Sequence, residues 1–184
     1  MLKKLVLTIL PIVFAVLLAL ALDAWYENVK QQRLIESTLV DIMLDIQHYA
    51  ALQVVFDYNQ KNLDSLQASI ERFEAGEITE FVFGFGRPEI NSLAWEMAKE
   101  NGVAADLGRE LYLELATVYL QFDRLENLWN YNYQFKLSYD PDMSQYSLAR
   151  HYRKQYESIQ KRQAELQEKS KEFLEKYKDA SFMR

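Results

Sequence analysis

LVLTILPIVFAVLLALALDAWYE, residues 5–27, is the stretch on which the reading of the chain turns. No charge interrupts it from Leu5 to Leu22, about 18 residues, which as a helix reach about 27 Å and match a thin hydrocarbon core. Lys3 and Lys4 stand before the run, and Asp23, Trp25, Tyr26 and Glu27 follow it. The basic flank assigns the N-terminus to the cytoplasm, and Trp25 with Tyr26 forms an interfacial anchor on the far side, with Asp23 and Glu27 in the same layer. Residues 1–24 are therefore expected to be a membrane anchor and residues 25–184 an exported domain. A secretory signal with a small-residue cleavage site at Ala19-Leu20-Ala21 is the competing reading. Retention is favoured because no turn-forming residue breaks the chain between Ala21 and Lys30. Either reading exports the rest. The expected location is a bacterial inner membrane, crossed once, with the C-terminal domain in the periplasm.

Within the run, Thr8, Ile12, Ala15 and Ala19 share one helical face. Ala15-x-x-x-Ala19 is a small-residue pair that lets two backbones approach closely, so Thr8, Ala15 and Ala19 are candidates for helix association. Asp23 continues that face one turn on, and Pro11 lies beside it.

Leu20-Ala21-Leu22 followed by Trp25-Tyr26-Glu27 resembles a group of uncharacterised bacterial proteins. These begin with one membrane helix ending in an I-A-L-x-I-x-x-W-N-E-like motif and continue as a helical domain. Tyr26 stands where Asn is usual. Ser92-Leu93-Ala94-Trp95-Glu96, Gly102 and Leu115 to Tyr119 resemble a second block of the same group. The resemblance implies an uncleaved anchor and carries no activity with it.

Composition narrows the chemistry. The 184 residues hold 21 basic and 27 acidic side chains; without Lys3 and Lys4, 19 basic stand against 27 acidic. That balance excludes a phosphate-backbone partner, so no nucleic acid is expected. The chain has no cysteine, which excludes disulfides, thiolate nucleophiles and Cys-ligated metals. Five Gly and three Pro are too few for a sandwich or barrel.

From Val29 to about Phe73 the apolar spacing is helical: Ile35, Leu39, Ile42, Ile46, Tyr49, Phe56, Leu63, Ile70 and Phe73 step by three, four or seven, with Gln53 and Gln60 on the same seam. Val40, Met43, Leu44, Val54 and Val55 widen the stripe to that of a bundle helix. Gly76 is placed to end the helix. Residues 77–88 lose the pattern. Phe81, Phe83 and Phe85 alternate there, as a flap packed on the bundle or as an exposed loop that meets a partner.

A short helix is expected from about Ile90 to Asn101 with Gly102 closing it. Asp106 is expected to cap a long helix to about Leu137, whose seam is Leu107, Leu111, Leu115, Val118, Phe122, Leu125 and Trp129. In it, Trp129 and Tyr133 share a face read as core, with Asn130 outward, and Tyr131 sits on another face, from which it could stack on a sugar or peptide, although structural core is the favoured reading of the stretch. Residues 138–142 form a turn, and Ser144 caps a last helix to about Asp179, with Leu148, Tyr152, Gln155, Ile159, Leu166, Phe173 and Tyr177 in register. The expected class is all-α: a transmembrane helix continuing into an antiparallel bundle of three long helices and one short one.

Asp41, Asp45 and His48 share a helix face, but the second carboxylate–histidine pair of a di-iron bundle is missing, and they read as solvated surface. No nucleophile elbow, dinucleotide loop or phosphate loop occurs. The expectation is a non-enzymatic interaction or accessory module without cofactor, whose partners are the bilayer and a second protein or copy of itself. A small-molecule sensing ectodomain that signals through a partner's membrane helix is the alternative.

Overall fold

The computed structural model describes residues 2–77, 81, 84–88, 91–138, 140 and 142–180, with backbone alone for 2–10. Among these residues every regular element is a helix: α1 (Leu2–Ala50), α2 (Gln53–Glu74), α3 (Leu93–Glu100), α4 (Val103–Asp106), α5 (Arg109–Ser138) and α6 (Gln145–Tyr177).

The first rod is one helix through the apolar run and well beyond it, with Pro11 inside. It then breaks at Ala51–Leu52, where the expected seam ran straight on. The Leu52 amide bonds the carbonyl of Tyr49 at 3.2 Å and the Ala51 amide reaches both Gln47 and His48, a tightened last turn. The buried pattern explains the break. Ile35, Ile42, Tyr49, Phe56, Leu63 and Ile70 keep a seven-residue row. Before the break their buried companions lie four residues on (Leu39, Ile46), and after it three residues on (Asn59, Leu66). An unbroken helix would carry one of these flanks away from the core. Gln53 and Gln60, expected on the seam, consequently face solvent, and Leu52, Asn59 and Leu66 take their places. Of the residues expected to widen the stripe, Met43 is buried, whereas Val40, Leu44 and Val54 are exposed, Val54 by 80%.

Helix α2 stops as glycine chemistry requires. Gly76 takes φ 77°, its amide bonds Phe73 and the Glu77 amide bonds Arg72, the two bonds of a Schellman turn. Gly102 takes φ 76° after α3. Asp106 does not cap α5. It is the last residue of α4, and its carboxylate accepts the Gln31 amide at 2.7 Å. Ser144 caps α6 as expected, accepting the Ser147 amide at 3.2 Å.

Helix α6 is the centre of the assembly, packed against α1, α2 and α5. It runs antiparallel to the first rod: Tyr146 meets Glu74, Arg153 meets Gln67 at 2.7 Å, and Gln167 meets Gln53 at 2.9 Å. It also runs antiparallel to α5. Phe135 stacks on His151 near one end, Trp129 meets Tyr156 edge-on, and Lys176 sits between Glu110 and Glu114 at the other. The buried face of α6 alternates steps of three and four without a slip: Ala149, Tyr152, Tyr156, Ile159, Gln163, Leu166, Ser170 and Phe173. Apolar burial along such a face, about 25 cal/mol per Å², is what holds a three-rod bundle together. The exposed ion pairs, mostly three or four residues apart on one helix, add little.

In the connection from α2 to α3, the described residues 75–77, 81, 84–88, 91 and 92 act as a strap. Phe81 lies at the level of Phe73, Gly86 at that of Asn59, and Asn91 at that of Tyr49, so the chain returns along the bundle toward α1. Helices α3 and α4 then pack on α1. The expected short helix is α3, with α4 as an additional turn after Gly102, whereas the long first helix is divided in two.

Candidate functional site

Two features stand out as sites. The first is the N-terminal segment of α1. It is the one described helix long and apolar enough to cross a membrane. From Pro11 to Tyr26 every side chain is exposed and no other element covers any of it. Ala15 and Ala19 are among these open positions, and the side chain of Thr8 lies outside the described residues. Asp23, Trp25, Tyr26 and Glu27 form one turn beyond the apolar run; Trp25 is 65% exposed and Glu27 pairs with Lys30 at 3.9 Å. Gln31 ties the helix to the rest of the fold by its bond to Asp106, about 13 Å along the helix from Leu22. A bare stretch of helix therefore separates the apolar run from the bundle.

The second is the strap and the surface beneath it. Phe81 packs on Phe73 (ring centroids 5.1 Å) and near Tyr146 (6.5 Å). Phe85 stacks flat on Tyr156, with centroids 3.2 Å apart and planes 9° from parallel. Phe83 lies outside the described residues. Between these anchors, Asn59 is 1% exposed and uses its whole carboxamide on one residue: Nδ2 donates to the Gly86 carbonyl and Oδ1 accepts the Gly86 amide, both at 2.8 Å. The Tyr49 hydroxyl accepts the Asn91 amide at 2.7 Å. Pro88 is buried, and Arg87 pairs with Glu126 at 3.6 Å on the surface. Sequence reasoning missed Asn59, because a buried asparagine on an apolar seam carries no periodic signal.

The Asp41, Asp45 and His48 face divides. Asp41 and His48 are exposed, but Asp45 is half-buried against α3 and accepts the backbone amide of Ala94. Burial raises its pKa above the ordinary 3.8 and Asp41 adds to that, against the opposing pull of the Ala94 amide and His48. The buried Tyr119 hydroxyl lies close enough to feel this carboxylate, and burial drives its pKa far upward. Among the described residues no group of three or more acidic or histidine side chains is placed to hold a metal ion. His151 stacks on Phe135 at 3.7 Å, and desolvation lowers its pKa, with Lys154 adding to the shift.

The aromatic stretch of α5 is oriented differently from its reading. Trp129 is buried, but Tyr133 is 60% exposed, and Asn132 turns inward in its place toward the Tyr156 hydroxyl. Asn130 faces out as expected, Tyr131 is half-exposed, and Trp95 fills the core between Tyr112 and Tyr119. The larger hollows among the described residues are open grooves. One of about 550 Å³ is lined by Lys99, Ala104, Leu107, Arg109 and Tyr112.

No family model, no curated protein and no solved structure matches this chain.

Proposed function

We propose that this chain is a non-enzymatic interaction module, held by α1 in a bacterial inner membrane with its antiparallel bundle in the periplasm. The observation that carries the reading is the continuity of α1. One helix contains the whole apolar run, leaves its described side chains from Pro11 onward uncovered, and only after a bare stretch enters the bundle through Gln31 and Ile35. An uncovered apolar helix of this length is stable in lipid and costly in water. The basic flank at Lys3 and Lys4 supports a cytoplasmic N-terminus. The resemblance of the Leu20-to-Glu27 turn to the anchored bacterial proteins supports retention over cleavage. The small-residue pair Ala15 and Ala19 is proposed as a face for helix association within the bilayer.

Membrane fractions extracted with alkaline carbonate, followed by intact-mass measurement, test the anchor. The expected result is a full-length chain that stays in the pellet and whose bundle is digested from the periplasmic side only. A mature chain beginning near Leu22, or one released by carbonate, overturns the reading. Replacing Ala15 and Ala19 together with Ile keeps the span apolar and blocks close approach. Unchanged cross-linked complexes after that replacement would leave the helix an anchor and nothing more.

A further inference from the structure

We propose that a notch in the seam between α5 and α6, faced by Arg124 and Arg162, binds an oxyanion: a phosphate or carboxylate group carried on a small organic body. The inference goes beyond the reading of the chain as an interaction module and does not depend on it.

The register of the two helices carries it. They run antiparallel, with Lys176 between Glu110 and Glu114 at one end and Phe135 stacked on His151 toward the other. Steps of seven residues keep to the facing row of each helix. Taken from the Lys176–Glu110 pair, they bring Lys169 opposite Thr117 and Arg162 opposite Arg124. The grooves along the seam agree with this: Thr117 and Lys169 line one, Arg124 and Arg162 another. The α6 row is basic throughout, whereas the α5 row passes from an acid through a hydroxyl to a base. One level is therefore an ion pair, the next is neutral in α5, and the third sets two guanidinium groups against each other.

That third level is out of keeping with a chain that holds 27 acidic and 21 basic side chains. Like charges that face each other are destabilising, and an anion between them removes the cost. Arg162 is half-buried and is held from its own helix by Glu165 at 2.6 Å. Arg124 is exposed and makes no ion pair or hydrogen bond among the described residues. Nearby acids on α5 do not serve it: Asp123 projects about 100° away round the helix, and Glu126 pairs with Arg87. One carboxylate thus stands beside two guanidinium groups, and Arg162 keeps N–H donors to spare. The groove they share, about 460 Å³, opens to solvent and adds Asn127 and Leu128. The Asn127 carboxamide supplies a neutral donor, and Leu128 gives an organic body an apolar side to rest on. Guanidinium forks from two helices match the planar edge of a carboxylate or the oxygens of a phosphate, which an ammonium group does as a point charge only.

The test uses the full chain in detergent, titrated at constant ionic strength with inorganic phosphate, phenyl phosphate and succinate, with binding read by calorimetry. At least one probe should bind saturably, and chloride should not; the tighter arm names the group as phosphate or carboxylate. Arg124→Gln and Arg162→Gln should each weaken binding by at least about tenfold. Lys61→Gln, which removes the same charge from an exposed position on α2, should leave it unchanged. Arg124→Glu separates binding from folding. Opposite Arg162 it forms the missing ion pair, so without anion it should melt about 1–3 °C above wild type, and it should bind no probe. The proposal is overturned by the absence of saturable binding in every arm, by binding that chloride matches, or by binding that survives both glutamine variants. An Arg124→Glu chain that melts level with or below wild type also overturns it, because the two guanidinium groups then do not confront each other.

Discussion

Asn59 and Gly86 are bound to each other twice, amide to carbonyl and carbonyl to amide, both at 2.8 Å, in a site from which water is excluded on the asparagine side. Asn59→Ala removes both partners of one residue's backbone. At about 0.5–1.5 kcal/mol net per hydrogen bond, the expected loss of stability is roughly 1–3 kcal/mol, measured by chemical denaturation. Asn59→Asp should be harmful as well, since a carboxylate cannot donate to the Gly86 carbonyl.

The apolar core should respond by volume. Leu115 and Phe122 have no exposed surface, so Leu115→Ala should cost roughly 2–5 kcal/mol and Phe122→Ala roughly 3–5 kcal/mol. His48 is exposed on the same bundle, and His48→Ala should stay within about 0.5 kcal/mol. A melting temperature that moved with added divalent metal would contradict the reading of that face.

Asp45 gives a pH dependence of unusual sign. Its folded pKa is raised, so the folded chain binds its proton more readily than the unfolded chain. Its contribution is therefore most favourable below the ordinary value of 3.8 and is lost as pH rises through the folded pKa. Asp45→Asn keeps an oxygen for the Ala94 amide without the charge. The variant should equal or exceed wild type in stability at pH 7, with its advantage shrinking as pH falls toward 3.8. A variant less stable at pH 7 than at pH 4, relative to wild type, would refute this.

Gln167 spans the break in the first rod: its Nε2 donates to the Ala50 carbonyl at 3.4 Å and to Gln53 Oε1 at 2.9 Å, closing one helix and holding the first residue of the next. Gln167→Ala should cost about 1 kcal/mol. Its signature is local: faster hydrogen exchange at the amides around Leu52 to Phe56, with the rest of α2 unaffected.

Some of this was legible in the sequence and some was not, for identifiable reasons. The helical class, Gly76, Gly102, Ser144 and the α5 seam through Leu115, Phe122 and Trp129 follow from spacing and capping chemistry. The break at Ala51–Leu52 has no glycine or proline to announce it. It is set by tertiary demand, since the burial of Asn59 and Leu66 requires the stripe to change flank. Gln163 is fully buried on α6, as is Ser170, and a pattern that scores polarity assigns both to solvent. Asn132 displaced Tyr133 from the core for the same reason: the fold chose the smaller polar residue beside Trp129, where the larger aromatic looked the better filler. The strap's direction along the bundle is not encoded in its own residues alone; it depends on where Asn59 and Tyr49 stand on two other helices.

The unbroken passage of α1 from the apolar run to Ala50 has a mechanical corollary. A helix without a joint transmits torsion, so the azimuth of the span about its own axis fixes the compass bearing of everything built on it. With α1 seated in a bilayer, turning the span by one residue's worth, about 100°, would swing the strap by the same angle around the membrane normal. Which neighbours the strap could face would then be decided inside the lipid, by whatever meets Ala15 and Ala19.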